Sequence, residues 1–133
     1  MGAIRTAIWN KFVADKSLPL YSAVGGSGLH YSEATQSPSV PYCVFHIFDE
    51  IPDRTFDLAF EEALIQFDYY ASSATDCDTG VSSIKTLYDY TTLSVSGYLF
   101  LQMERVLVID SIKEHPSDLW HGIVRYELLI QES

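Results

Sequence analysis

Positive charge is scarce in this sequence. Eight lysines and arginines stand against 18 aspartates and glutamates, a net charge of −10. Tight wrapping of nucleic acid draws on clustered Lys and Arg that displace counterions from phosphates, and the scarcity argues against it. It argues equally against adsorption to anionic membranes. Cysteine is sparse too. Cys43 lies in an apolar run and Cys77 on an expected helix, and neither has a CxxC or other metal-type spacing. Both read as buried small hydrophobes of a reducing compartment, with a disulfide between them left open. No window approaches the ~20 apolar residues of a membrane span. The stretch from Met1 to Asp15 is too polar for a signal-peptide core. Synthesis and use in a cytoplasm is the expectation.

Catalytic patterns are missing as well. Gly25-Gly26-Ser27-Gly28 lacks the Gly-Lys-Ser/Thr of a phosphate-binding loop and does not meet GxSxG, so it reads as a flexible turn. His30, His115 and His121 are scattered and form no HExxH pattern. His46 lies near Asp49 and Glu50, but one imidazole and two acids at the rim of a strand make a weak metal or acid–base site, and a core or edge histidine is the better reading. The tyrosines, among them Tyr21, Tyr42, Tyr69, Tyr70 and Tyr88, lack the interleaved Lys and Arg of a base-stacking surface and suit core or subunit packing. The expectation is a protein with no catalytic residues, no cofactor and no metal.

What is present is enough apolar material for a core. Of 133 residues, 47% are hydrophobic, which fits one compact domain over 1–133 and excludes wholesale disorder. Ile4, Ile8 and Phe12 recur every four residues, with Trp9 and Val13 widening the stripe, and predict a helix from Ala3 to Asp15. Pro19 blocks its simple continuation. A loop from Ser17 to Val40 follows, interrupted by a brief strand at Leu29, His30 and Tyr31. Its Glu33–Pro41 part has no hydrophobic period and reads as an exposed, mobile excursion. Tyr42 to Asp49 is a nearly continuous apolar strand with both faces coverable. An acidic connection, Asp49 to Leu58, contains Pro52.

The second half is more regular. Phe60 to Ser72 reads as a strand, with Ile65, Phe67 and Tyr69 alternating against Gln66 and Asp68. Capping residues over Ser72–Asp78 lead into a helix bearing Cys77, Val81, Ile84 and Tyr88 on one face. Gly97 marks a turn. Tyr98 to Ser111 sets Leu101, Met103, Leu107 and Ile109 against Gln102, Glu104 and Asp110. Trp120 to Gln131 sets Trp120, Val124, Tyr126, Leu128 and Ile130 against His121, Arg125 and Glu127. These two long strands suit an antiparallel pair closed around His115-Pro116-Ser117-Asp118. The predicted architecture is α+β, a largely antiparallel sheet of four to five strands with two helices packed on one face.

Acid is concentrated in the middle. Residues 41–80 hold nine acidic residues and one basic residue, whereas 1–40 hold two and three. Such a run usually solvates a surface.

Several segments, taken in order, resemble the tail-terminator (tail-completion, or minor tail) proteins of long-tailed bacteriophages and gene-transfer particles. Pro41-Tyr42-Cys43-Val44-Phe45 is similar to the family's P-Y-apolar-apolar strand. Leu64-Ile65-Gln66-Phe67-Asp68-Tyr69-Tyr70-Ala71 is similar to its q-i-d-v-y-a strand. Gly122-Ile123-Val124-Arg125-Tyr126-Glu127-Leu128 is similar to its closing r-y-e/d-apolar strand. The length of the 17–40 loop and the paired Tyr69 and Tyr70 depart from the pattern. The resemblance implies a structural virion protein, made in a host cytoplasm and located where the tail meets the head. It implies a ring of identical subunits, usually a hexamer, that caps the tail tube, stops its polymerisation and meets the head–tail connector protein. DNA would pass through the lumen without specific binding, and no membrane is involved. Asp49, Glu50, Asp53, Asp57, Glu61 and Glu62 are the candidates for lumen or subunit-interface charge. Two other readings remain: a head-completion or connector-stopper neck protein, and an acidic DNA-mimic inhibitor.

Overall fold

The computed structural model describes residues 2–14, 16–26, 28–32, 40–55, 58–114 and 118–132; over 49–55 and 58–59 it describes the backbone alone. In chain order the elements are α1 (Gly2–Ala14), α2 (Pro19–Val24), β1 (Leu29–Tyr31), β2 (Tyr42–Thr55), β3 (Leu58–Ala71), α3 (Ala74–Tyr88), β4 (Tyr98–Lys113) and β5 (Trp120–Glu132). The strands form one sheet in the order β1-β2-β3-β5-β4. Every pairing is antiparallel except β1 with β2, which is parallel. The expected α+β sheet with helices on one face is therefore present.

The core follows from the predicted periods. Ile4, Ile8 and Phe12 of α1 are fully buried, as are Cys77, Val81, Ile84 and Tyr88 of α3. They meet Phe45, Ile65, Phe67, Tyr69, Val124, Tyr126, Leu128 and Ile130 from one face of the sheet. Two buried phenols have acceptors. Tyr88 donates to the Ile8 carbonyl at 3.0 Å and Tyr126 to Asp89 Oδ1 at 2.6 Å, which ties α3 to α1 and to the sheet. Ser73 caps α3 by accepting from the Asp76 amide at 3.1 Å. Gly80 lets α3 settle on the sheet, since a Cβ there would overlap the ring of Tyr69.

Three sequence readings need correction. Residues 19–24 form a helix within the expected loop. The first helix ends at Ala14, and Pro19, expected only to block it, opens a second, because its fixed φ and missing N–H suit a first turn. Leu20 is fully buried, and the turn ends on Gly25 at φ 78°, whose amide reaches the Tyr21 carbonyl at 2.8 Å. The Glu33–Ser39 part of the expected excursion lies outside the described residues.

The expected acidic connection is strand instead. β2 runs on to Thr55, and β3 starts at Leu58. They pair from Ile51↔Glu62 to Thr55↔Leu58, past an irregularity between Phe48 and Ile51. Backbone pairing with β3 outweighs the unfavourable composition. Pro52 is tolerated because, among the described residues, no strand lies on the outer side of β2 there.

The alternation expected of β4 also breaks. Its pairing with β5 shifts between Phe100/Gln102, Arg105/Leu107 and Ile109/Ile112. Each extra residue turns the following side chains to the other face. Met103 is buried, but Leu101 and Leu107 are exposed. In β5 the alternation holds: Val124, Tyr126, Leu128 and Ile130 are all fully buried. The β4–β5 hairpin is the expected long pair, closed by the Glu114 amide to the Leu119 carbonyl at 2.8 Å.

Candidate functional site

Strand alternation sends one set of side chains away from the helices. On β3 that set is Glu62, Leu64, Gln66, Asp68 and Tyr70. Register places His46 opposite Gln66, Val44 opposite Asp68, and Arg125, Ile123 and His121 beside them on β5. A polar network forms on this helix-free face around one carboxylate. Asp68 is only 4% exposed. Its Oδ1 lies 2.7 Å from His121 Nε2, its Oδ2 lies 3.4 Å from His46 Nε2, and Gln66 Nε2 donates to both oxygens at 3.1 and 3.2 Å. The Gln66 carbonyl in turn accepts from Arg125 Nε and Nη2, at 3.1 and 2.6 Å. His121 Nδ1 is bonded to Glu114.

An imidazole with a carboxylate at each nitrogen is satisfied only when both nitrogens carry protons. Burial pulls the pKa of His121 down, but hydrogen bonds and charges from Asp68 and Glu114 outweigh it and leave the pKa raised. Tyr70 stacks on His121 at 4.4 Å, and Tyr42 on Tyr70 at 4.9 Å. Burial, Asp68 and Glu114 push the Tyr70 phenol up to about 12. These groups hold a charged lock between β2, β3 and β5. No nucleophile among the described residues is bonded to it. Among the described residues no three His, Cys, Asp or Glu side chains are arranged to hold a metal ion.

The sequence-predicted charge sites are placed differently. Asp49, Glu50 and Asp53 lie on the outer half of β2, where only the backbone is described, and Asp57 lies outside the described residues. Glu61 and Glu62 are successive residues of β3 and point to opposite faces. Glu61 Oε1 accepts from the Tyr98 hydroxyl at 3.2 Å, while its Oε2 is buried with no partner among the described residues. His46 Nε2 lies 3.4 Å from Asp68 Oδ2. Sequence reasoning put Gln66, Asp68, His121 and Arg125 on the polar side of their strands. It missed that the register brings them together with Glu114, since pairing between strands leaves no local trace.

Both cysteines are buried, as expected, and the disulfide left open between them is not formed. Burial, then Asp68, raises the Cys43 thiol, and burial with Asp78 and Asp110 pushes Cys77 up to about 11, so neither is a ready thiolate.

The rim of the sheet is the other unusual surface. β4 is its outermost strand and exposes Leu99, Leu101, Val106, Leu107 and Ile112, each 37–55% accessible. At the opposite margin, among the described residues, β1 covers only Cys43–Phe45 of β2, and Phe48 beyond it is 40% exposed. No described helix is long and apolar enough to cross a membrane.

No protein-family model and no curated protein matches the chain. Solved structures do. The bacteriophage SPP1 gp17 protein is similar over 96% of this chain and 88% of its own, with TM-score 0.63 and 15% identity. A chain from the virion of a native gene transfer agent particle is similar over 98% of this chain and 96% of its own, with TM-score 0.80 and 13% identity. At such identities the likeness is one of fold, and this chain has, end to end, the fold of a component of a phage-like particle.

Proposed function

We propose that this protein is a structural component of a phage-like virion, acting as a tail terminator. In this reading identical subunits, six by the family pattern, close a ring on the end of the tail tube. The ring stops tube growth and presents a surface to the head–tail connector protein, and DNA crosses its lumen unbound. The observation that carries the reading is the end-to-end fold likeness to the gene-transfer-agent virion chain. The sequence motifs on β2, β3 and β5 agree with it. So does the acidic balance, because a negative lumen lets phosphates slide. Asp49, Glu50, Asp53, Asp57, Glu61 and Glu62 are proposed as lumen or neighbour-facing charge. No catalysis and no cofactor are assigned.

Immunogold electron microscopy of particles from the source, with antibody to this protein, tests the proposal. Gold at the head–tail joint and on the upper end of free tails is expected. Gold on tail-less heads would instead indicate a connector-stopper, and unlabelled particles would overturn an assembly role.

A further inference from the structure

We infer that copies of this chain dock head to tail through the helix layer: the groove beside Arg5 and Trp9 of α1 in one copy receives the acidic corner made by Asp78 of α3 and Asp110 of β4 in the next. The inference rests on the ring reading and names its subunit contact.

The groove has a volume of about 490 Å³ and lies between α1, β1 and β2, with Arg5, Thr6, Trp9, Leu29, Tyr31 and Phe45 in its walls. Trp9 is 37% exposed. The exposed Arg5 guanidinium sits 4.6 Å from the centre of the Tyr31 ring. Tryptophan, tyrosine and arginine together are the side chains that anchor protein interfaces. Charge selects the occupant. α1 carries Arg5 and Lys11 and no acid, in a chain of net charge −10. Among the described residues no carboxylate forms an ion pair with Arg5. An acidic surface complements it.

The same chain supplies that surface. Asp78 and Asp110 are both exposed. They meet around Cys77, whose thiol donates to the Asp110 carbonyl at 3.5 Å and whose pKa both carboxylates raise. Among the described residues neither carboxylate has an ion-pair partner. Lys85 of the same helix stands about 10 Å further along.

Position makes the two surfaces a head-to-tail pair. β1 and β4 are the outermost strands of the sheet, so groove and corner lie on opposite flanks, four strand spacings or roughly 19 Å apart. They also share a height. One row across the sheet runs Leu29, Cys43, Tyr69, Gly122. It ends on β4 at Asp110, whose carbonyl lies 2.9 Å from where a Cβ on Gly122 would be. A copy rotated about an axis lying along the strands keeps that height and turns its corner toward the groove of its neighbour. Two unlike surfaces on opposite flanks make the heterologous contact that closes rings.

The test is charge exchange on tails assembled with the full chain. Arg5→Glu is made alone, Asp78→Arg and Asp110→Arg are made as a pair, and all three changes are then combined. The positions are exposed, so each variant should unfold in urea close to the parent. Arg5→Glu and the aspartate pair should each cap tube ends about tenfold less often than the parent, because like charges then face each other. The combined variant should recover most of that loss, since opposite charges face again. Normal capping by both partial variants would overturn the contact, and so would a combined variant no better than its parts. Loss in Arg5→Glu with normal capping by the aspartate pair would give the groove to a different acidic protein and overturn the contact between copies. In each of those cases gold at the tail end in the parent leaves the ring standing. Unlabelled tail ends in the parent would remove the ring and this contact with it.

Discussion

The two faces of the sheet are built on opposite principles. The helix-covered face is aromatic and aliphatic. Phe67 stacks on Tyr88 at 4.6 Å and meets Tyr126 edge-on at 6.0 Å, beneath α1 and α3. The helix-free face is held by charge, with Asp68 joined to His121, His46 and Gln66 and, through Gln66, to Arg125. The same strands make both, since alternate residues go to alternate sides. The first face buries area without direction and sets the stability of the fold. The second uses directional bonds across three strands, so it fixes register on a surface that no helix covers.

The contrast can be broken from either side. Phe67→Ala should have the largest effect, since it empties a fully buried ring site. A loss of about 3–5 kcal/mol is expected in urea unfolding, and a loss under 1 kcal/mol would show that α3 does not depend on that stack. Asp68→Asn keeps the shape but removes the charge between two histidines. It should cost about 1–3 kcal/mol with near-native secondary structure by circular dichroism.

The pH dependence sharpens the same point. The folded pKa of His121 lies above the ~6.5 of a free imidazole. Its contribution is therefore complete below pH ~6.5 and is lost as pH rises through the raised folded value. The groups facing it are Asp68, Glu114 and the Tyr70 ring. Thermal unfolding scanned upward from pH 6 should show a decline that His121→Gln flattens; parallel curves for the two proteins would refute the imidazolium lock. The smallest effect on stability belongs to the exposed groove of α1. Arg5→Glu should change unfolding free energy by about 0.5–1 kcal/mol, the worth of its contact with the Tyr31 ring, yet cut assembly on tubes seen by electron microscopy. Normal assembly would separate that groove from function.

How much was legible in the sequence differs between the two faces. Periods of 3.6 and 2 are local properties, so α1, α3, β3 and β5 were readable, and with them the core from Ile4 to Ile130. Where one residue plays two parts, local reading failed. Pro19, read as a block to the first helix, starts a second. The segment 49–55 has the composition of a loop, yet the ladder to β3 holds it as strand. On β4, inserted residues invert an alternation that the sequence displays plainly.

The candidate site shows the same limit. Gln66, Asp68, His121 and Arg125 were all visible as polar positions, but nothing local joins Asp68 to His121, 53 residues away. The sequence by itself determined the fold class, the buried faces of the regular elements, the acidic balance and the scarcity of catalytic motifs, because these depend on spacing and composition. Only the tertiary structure decided the strand order, the bonded histidine–aspartate network and the shared height of the Arg5 groove and the Asp110 corner. Each of those depends on which distant segments lie side by side, and backbone pairing between strands fixes that with no regard to their separation along the chain.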